Sequence, residues 1–428
     1  MPSAQVRDAL RIYRAALKAA DPEHAIRKHL RFENGVMVVG RKRFRISEWQ
    51  RIYVIGAGKA SAAMAKAVEG VLGRRITGGL VNVPDGDWPK LRSVELHPCS
   101  HPLPDKRGEQ GARRMLAMAE AAGENDLLIC LISGGASALL PAPAFGMTLA
   151  GKRKITEVLL RGGASIHEVN VVRKHISAIK GGQLAAAAFP ATILTMILSD
   201  VVGDDPAVIG SGPTVADPST RRDAMRILRK YGIPPGGAGL QETPKPGDPR
   251  LARSHFEIVG SNREAIRAAA AQAQALSYRT LVLSATVEGE AREVAREHAV
   301  IARRILTQGK PIRPPACLLA GGETTVTVLG KGKGGRNQEY ALAAALALEK
   351  AGLVTILSAG TDGVDGPTDA AGAVADSETA ARAAALGLDA RAYLANNDTY
   401  RFFERMNSLI KTGPTGTNVM DIHLLLIA

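Results

Sequence analysis

The sequence predicts an α/β protein with parallel sheets, divided into two domains. Three observations carry this. Apolar runs of strand length alternate along the chain with segments patterned as helices. Several runs end directly in glycine-rich turns: 52–55 in Gly56-Ala57-Gly58-Lys59, 126–132 in Ser133-Gly134-Gly135-Ala136-Ser137, and 355–358 in Ala359-Gly360-Thr361-Asp362-Gly363. The 428 residues exceed what one hydrophobic core usually serves. The most linker-like composition, residues 233–250, sets the division at 1–240 and 250–428.

Residues 4–30 pattern as one or two amphipathic helices interrupted near Asp21-Pro22, with a short strand pair at 36–46. Strand 52–55 feeds helix 60–68, and 79–83 is the next strand. Residues 94–105 hold too many prolines for a central strand and read as a rigid surface loop. Helix 108–122, strand 126–132 and helical segments 155–161, 166–176 and 183–188 follow. Strand 193–198 ends in Ser199-Asp200, and 219–231 is a helix. Past the linker, 256–259 and 280–284 are strands, while 263–274 and 290–308 are helices. An apolar run closing in Gly321-Gly322-Glu323 precedes a strand-like run at 324–329, a loop holding Lys331, Lys333 and Arg336, and an Ala/Leu helix opening at Asn337. Strand 355–358, helices 377–386 and 398–406 and a final strand 422–427 complete the chain. His423 in that last run reads as a core histidine.

Composition narrows the function. Hydrophobic residues make up 46% but aromatics only 4%, so the cores are built from Ala, Val, Leu and Ile. The net charge is +14, and residues 1–51 carry twelve Lys/Arg against five Asp/Glu. Such a surface favours anionic partners. There is no basic-aromatic repeat, zinc finger or recognition helix, so steering of small anions or a solvated basic face ranks above nucleic-acid binding. Cys99, Cys130 and Cys317 are too few and too scattered for a disulfide scaffold or structural zinc. No run reaches bilayer length and the first thirty or so residues lack a signal-like apolar core, which predicts a cytoplasmic protein without a membrane partner.

Several motifs suit oxygen-rich ligands. Gly56, Gly58 and Lys59, between a strand and a helix, form an anion-binding turn, although the third glycine of the dinucleotide fingerprint is absent and the gap of the nucleotide P-loop is not met. Ser133, Gly134, Gly135 and Ser137 offer hydroxyls and N–H groups in a turn that is not the Gly-x-Ser-x-Gly elbow of hydrolases. Lys331, Gly334, Gly335 and Arg336 make a flexible cationic loop at a helix N-terminus. Asp200, Asp204 and Asp205 past one strand, and Asp362, Asp365 and Asp369 past another, suit Mg²⁺ held jointly with phosphates. Arg173, Lys174, His175 and Lys180 form a basic cluster able to meet a substrate carboxylate. Glu323 can hold a metal or a substrate hydroxyl, and Thr415 sits in a polar turn, 412–418. Each has a structural alternative: helix capping, an Asx-turn, a loop salt bridge or a solvated face.

Taken together, nine segments resemble the glycerate kinases that form 2-phosphoglycerate: VIGAGKASAAMA, HPLPD, LISGGASALL, VRKHISAIKGG, LSDVVGDDPAVIGSGPT, LAGGETTVTV, GGRNQE, SAGTDGVDGPTDAAGA and KTGPTGTNVMD, in order over residues 54–421. The resemblance implies an N-terminal Rossmann-like domain with a parallel sheet, a smaller C-terminal α/β domain and an active site in the cleft. It implies transfer of the γ-phosphoryl group of ATP to the 2-hydroxyl of D-glycerate with Mg²⁺ or another divalent cation. On this chain the catalytic cations would be Lys59 and Arg336. Asp200 and Asp362 would hold metal or accept the proton, with Asp204 a further metal ligand. Gly56, Gly58, Ser133, Gly134, Gly135, Ser137, Lys331, Gly334, Gly335 and Thr415 would face the nucleotide; Arg173, Lys180, Glu323 and Asn337 would face glycerate. Some similar proteins are named hydroxypyruvate reductases, which would require NAD(P)H; the incomplete dinucleotide fingerprint favours the kinase. A homodimer is admitted, and the sequence does not fix it.

Overall fold

The computed structural model describes residues 3–234 and 239–428; within the linker 233–250, residues 235–238 lie outside the described part. The chain forms two compact units, Pro22–Val259 and Met1–Asp21 joined with Gly260–Ala428. This differs from boundaries at 1–240 and 250–428, because the first helix, Ala4–Ala20, belongs with the C-terminal part. Its apolar stripe Ala9, Ile12, Tyr13, Ala16 and Ala20 is buried. The Tyr13 hydroxyl donates to the Gly360 carbonyl at 2.7 Å, and Thr417 donates to the Ala20 carbonyl at 2.6 Å.

The unit Pro22–Val259 begins with a three-stranded antiparallel sheet, β1 (Leu30–Glu33), β2 (Val36–Val39) and β3 (Lys42–Arg45). Its main sheet comprises β4 (Arg51–Ala57), β5 (Gly78–Pro84), β6 (Glu95–Cys99), β7 (Asp126–Ile132), β8 (Thr192–Leu198) and β9 (Ser254–Gly260), in the order β6-β5-β4-β7-β8-β9. All pairs from β6 to β8 are parallel. β7 and β8 are buried at every position, as strands covered on both faces must be. The chain runs outward from β4 through β5 to β6, then returns to β7 on the other side of β4. The reversal point between β4 and β7 is where open α/β sheets leave a crevice at the strand carboxyl ends. β6 corrects the expectation of a loop at 94–105. Pro98 pairs with Val83 at the sheet edge, where a missing N–H costs no ladder bond.

The other unit holds β10 (Arg279–Val287), β11 (Ala316–Gly322), β12 (Val354–Gly360), β13 (Gly372–Asp376), β14 (Leu409–Ile410) and β15 (Asp421–Ile427), in the order β10-β11-β15-β12-β13-β14. Only β10 and β11 pair in parallel; the remaining neighbours are antiparallel, so this sheet is mixed, not parallel as expected. The last strand is inserted in the middle, fully buried along its length. Its register places Asp421 opposite both Gly322 and Gly360. Residues 324–329 do not form the expected strand: Thr325 makes a single bridge to Glu290, whose carboxylate takes the Thr327 N–H at 3.1 Å. Cys99, Cys130 and Cys317 are buried and free, and no described helix is long and apolar enough to cross a membrane.

Candidate active site

In the unit Pro22–Val259, Lys59 follows β4 and Ser133-Gly134-Gly135 follow β7, at the reversal point. The two turns are laced together: Lys59 N–H donates to the Gly134 carbonyl at 2.8 Å, and Ser133 N–H to the Ala57 carbonyl at 3.2 Å. A Cβ on Gly134 would overlap the carboxylate of Asp200, just past β8. A Cβ on Gly135 would lie 2.9 Å from His101 Nε2 and 3.4 Å from Lys59 Cγ. Lys59, His101, Gly135 and Asp200 therefore converge. The Lys59 ammonium is exposed and has no hydrogen bond or ion pair among the described residues. Burial, then the Lys59 charge, holds the His101 imidazole below its ordinary range and so neutral at pH 7. Among the described residues no backbone carbonyl accepts from Gly134 or Gly135 N–H.

Other expected ligand groups in these turns are committed internally. Ser133 is buried; its hydroxyl accepts the Ala60 N–H at 3.1 Å and pairs with Ser61 at 3.2 Å, so it closes the turn and does not face a ligand. Gly56 and Gly58 are glycine because β7 passes too close: a Cβ would overlap the Leu131 carbonyl or the Ser133 hydroxyl. Their φ of 151° and 144° also disfavours a side chain. Ser137 is half-buried and bonds Ser211 at 3.0 Å, and Ser211 donates to Asn170 at 3.1 Å. Asp204 lies half-buried in the turn after β8, with φ 58°.

A second feature of this unit is cationic. Lys180 is wholly buried and its ammonium donates to the Gly210 carbonyl at 3.1 Å. Lys152, also buried, donates to the Ile176 carbonyl at 3.4 Å. Burial is the main cause that pushes Lys152 down to about 7, with Arg173 adding to it; Lys180 falls well below its ordinary value through burial, Lys152 and Arg173. Lys174 and His175, grouped with them by sequence, turn elsewhere: Lys174 pairs with Asp217 at 3.2 Å and His175 with Glu242 at 3.3 Å. Lys152 carried no sequence signal, since one lysine in an amphipathic helix reads as a solvated residue.

In the other unit the site centres on Arg336, at the start of helix Arg336–Ala347. Asp421 receives Arg336 Nε at 2.6 Å and its terminal nitrogen at 3.1 Å, while Glu323, just past β11, receives the other terminal nitrogen at 2.9 Å. The guanidinium is thus clasped by carboxylates from the ends of two neighbouring strands. Asp421 is wholly buried, and burial raises its carboxyl against the opposing pull of Arg336 and Asn337. Asp362 is adjacent: a Cβ on Gly360 would lie 3.2 Å from Asp362 Oδ1 and 3.4 Å from Asp421 Oδ1. Asp421 was the chief omission among the site residues read from sequence; its only signal was a lone carboxylate opening an apolar run.

Here too several expectations are corrected. The helix N-terminus is not open to phosphate, because Asn337 and Gln338 N–H donate to the Asp365 carboxylate at 3.0 and 2.9 Å. The loop before it spends its amides on the turn 396–398: Lys331 N–H on Asn396 at 3.1 Å, Gly332 N–H on the Asn396 carbonyl at 2.9 Å and Lys333 N–H on Asp398 at 2.9 Å. Gly334 and Gly335 are glycine because Thr399 and Asp365 occupy the space of a side chain. The Lys331 and Lys333 ammoniums, with the Gly334 and Gly335 N–H groups, remain for an anion, and Lys333 lies 4.5 Å over the Tyr400 ring. Asn337 is buried and donates to Asp421 at 2.9 Å while accepting from Ser358 at 2.7 Å, so it braces Asp421 and is not open to substrate. Thr415 spends its proton on the Thr361 carbonyl at 2.6 Å. Among the described residues no three His, Cys, Asp or Glu side chains form a metal cage. Lys59 and Arg336 fall in different units.

Comparison with known proteins gives these arrangements a family. Residues 8–237 match the family described as a domain of unknown function, DUF4147, and residues 316–421 match the MOFRL family. The D-glycerate 2-kinase of Thermotoga maritima is 40% identical over 98% of this chain and 97% of its own length. The human glycerate kinase is 37% identical over 98% and 92%. An Agrobacterium vitis protein carrying a provisional hydroxypyruvate reductase name is 42% identical over 97% and 93%. The crystal structure of the Thermotoga maritima glycerate kinase superposes with a TM-score of 0.91 at 38% identity, covering 100% of both chains. The chain belongs to the glycerate kinase family.

Proposed function

We propose that this chain transfers the γ-phosphoryl group of ATP to the 2-hydroxyl of D-glycerate, giving 2-phosphoglycerate and ADP. The observation that carries the reading is the near full-length similarity to a D-glycerate 2-kinase. The hydroxyl oxygen attacks the γ-phosphorus, the bond to the bridging oxygen breaks toward ADP, and the hydroxyl proton passes to a carboxylate, Asp200 or Asp362. Charge spreads over the equatorial oxygens in such a transfer, so catalysis is positioning and neutralisation. Lys59 supplies a mobile cation and Arg336 one fixed in place by Asp421 and Glu323. The Gly134 and Gly135 amides, Ser137 and the Lys331 ammonium serve the nucleotide; Arg173 and Lys180 serve the glycerate carboxylate. A divalent cation such as Mg²⁺ fits the donor set in one manner. With no three-ligand cage among the described residues, it would be shared with the phosphates and take oxygens from Asp200, Asp204 or Asp362.

The test is a coupled assay of ATP with D-glycerate, with the phosphate position read by ³¹P NMR. The expected product is 2-phosphoglycerate, formed only with nucleotide, glycerate and a divalent metal. NADH or NADPH oxidation with hydroxypyruvate, and no phosphoryl transfer across metals and pH, would replace the kinase with the reductase.

A further inference from the structure

We infer that Lys152, Arg173 and Lys180 form a built oxyanion subsite, bounded by the turn that follows β7. The inference deepens the kinase reading and rests on it for the identity of the anion, the glycerate carboxylate, with a phosphate of the nucleotide as the other outcome of the test. Three basic side chains share this region with no ion pair to a carboxylate among the described residues; Glu109, whose charge reaches Lys152, is paired with Arg113. An ammonium has three donors and a guanidinium five. Lys152 and Lys180 each reach a single carbonyl, and Arg173, half-buried, has no hydrogen bond or ion pair among the described residues. The surrounding carboxylates are engaged elsewhere: Asp217 with Lys174 at 3.2 Å, Glu242 with Lys245 at 2.6 Å, and Glu109 with Arg113 at 2.9 Å. Buried positive charge without a partner is costly, and most folded proteins neutralise it with an ion pair. The C-terminal end of helix Ile166–His175 carries partial negative charge, but that offsets only a fraction of one cation.

The location fits a ligand. The Ile176 carbonyl that receives Lys152 also receives the Ala144 N–H at 3.2 Å. The Gly210 carbonyl that receives Lys180 lies in a turn packed on the glycine-rich one: a Cβ on Gly210 would stand 3.2 Å from Ala136 Cβ, and the next residue, Ser211, bonds Ser137. The cluster is therefore continuous with the turn at the sheet's reversal point. An anion seated there finds desolvated N–H donors, and it favours the protonated form of two lysines that burial otherwise discourages.

The experiment compares the full-length wild type with Lys152→Met and Arg173→Met. It reads melting temperature with and without inorganic phosphate, D-glycerate or ADP, together with the KM of each substrate. A structural lysine and a ligand lysine predict opposite results. As a ligand group, Lys152 replaced by methionine gives a protein at least as stable as wild type when no anion is present, while the phosphate-induced rise in melting temperature disappears. The KM for one substrate then rises tenfold or more, with the other within twofold. A rise for D-glycerate assigns the carboxylate, and a rise for ATP assigns the phosphate chain. Unchanged anion responses and unchanged KM values in both variants would overturn the subsite while leaving the kinase reading intact. Should Lys152→Met fail to fold, the half-exposed Arg173→Met decides by the same readouts. A wild type that transfers no phosphoryl group sinks the kinase reading, and the subsite still stands or falls on the anion-induced shift.

Discussion

Lys59 and Arg336 carry the same charge in opposite settings, and their substitutions should leave opposite signatures. The Lys59 ammonium is exposed and spends nothing on the fold. Lys59→Ala should lower kcat/KM about 10²- to 10³-fold, roughly 3–4 kcal/mol of transition-state stabilisation, as removal of an aimed charge does elsewhere. The melting temperature should stay within experimental error. Near-normal turnover would remove Lys59 from the catalytic set. Arg336 is structural and functional together, since Asp421 beneath it is wholly buried. Arg336→Met should abolish turnover and also cost about 3–5 kcal/mol of stability, because it leaves a buried carboxylate without its cation. Arg336→Lys should not restore activity, since one ammonium cannot span Asp421 and Glu323 with a fixed planar fork. Denaturant unfolding beside steady-state kinetics checks both, and a stable, inactive Arg336→Met would show that Asp421 does not depend on the pair.

At the scale of elements, the helix Arg336–Ala347 owes its start to Asp365, and this makes its anchorage pH-dependent. Burial pushes the Asp365 carboxyl up to about 7, although the Asn337 and Gln338 N–H groups favour its charge. The folded value lies above the ordinary 3.8, so the native state binds the extra proton between the two. Its stabilisation is complete below about pH 4 and is lost as pH rises through 7, a change on the order of 4 kcal/mol. Asp365→Asn should flatten that part of the profile, read as unfolding free energy from pH 5 to 8; an unaltered slope would exclude Asp365 as its source. The depressed Glu168 and Glu242, at about 2, act only in more acidic solution. The elements themselves show what a sequence exposes. β4, β7 and β12 were legible because an apolar run closed by a glycine-rich turn is a local pattern, and β8 because its apolar run stops at Ser199-Asp200. That β15 lies between β11 and β12, antiparallel to both, was not, because the pattern of an apolar run carries no direction. β6 was hidden by Pro98, whose tolerance depends on an edge visible only in the folded sheet. Ser133 and Asn337 were read as ligand groups because a hydroxyl or amide looks the same in a turn whether it meets phosphate or closes the fold.

For the whole molecule, the first helix determines which segments fold independently. Helix Ala4–Ala20 buries Ile12 and Tyr13 completely or nearly so, and its side chains bond to Gly360 and Thr355. Asp8, on the same helix, receives the Tyr278 hydroxyl at 3.1 Å. Burying each large apolar side chain is worth about 1.5–3 kcal/mol. The stripe Ala9, Ile12, Tyr13, Ala16 and Ala20 therefore contributes roughly 5 kcal/mol or more, comparable with the entire stability of a typical domain. The segment 22–259 has its sheet and core in one continuous stretch and should fold alone, with a cooperative melt. The segment 260–428 should not fold without the first helix, although it contains every strand of its own sheet. A synthetic peptide of residues 1–21 added to it should restore cooperative unfolding and a concentration-dependent melting temperature, because the peptide binds only the native form. Cooperative melting of 260–428 by itself, at the temperature of the parent chain, would reduce the helix to a dispensable cover. Failure of 22–259 to fold would instead place that unit's stability outside its own core.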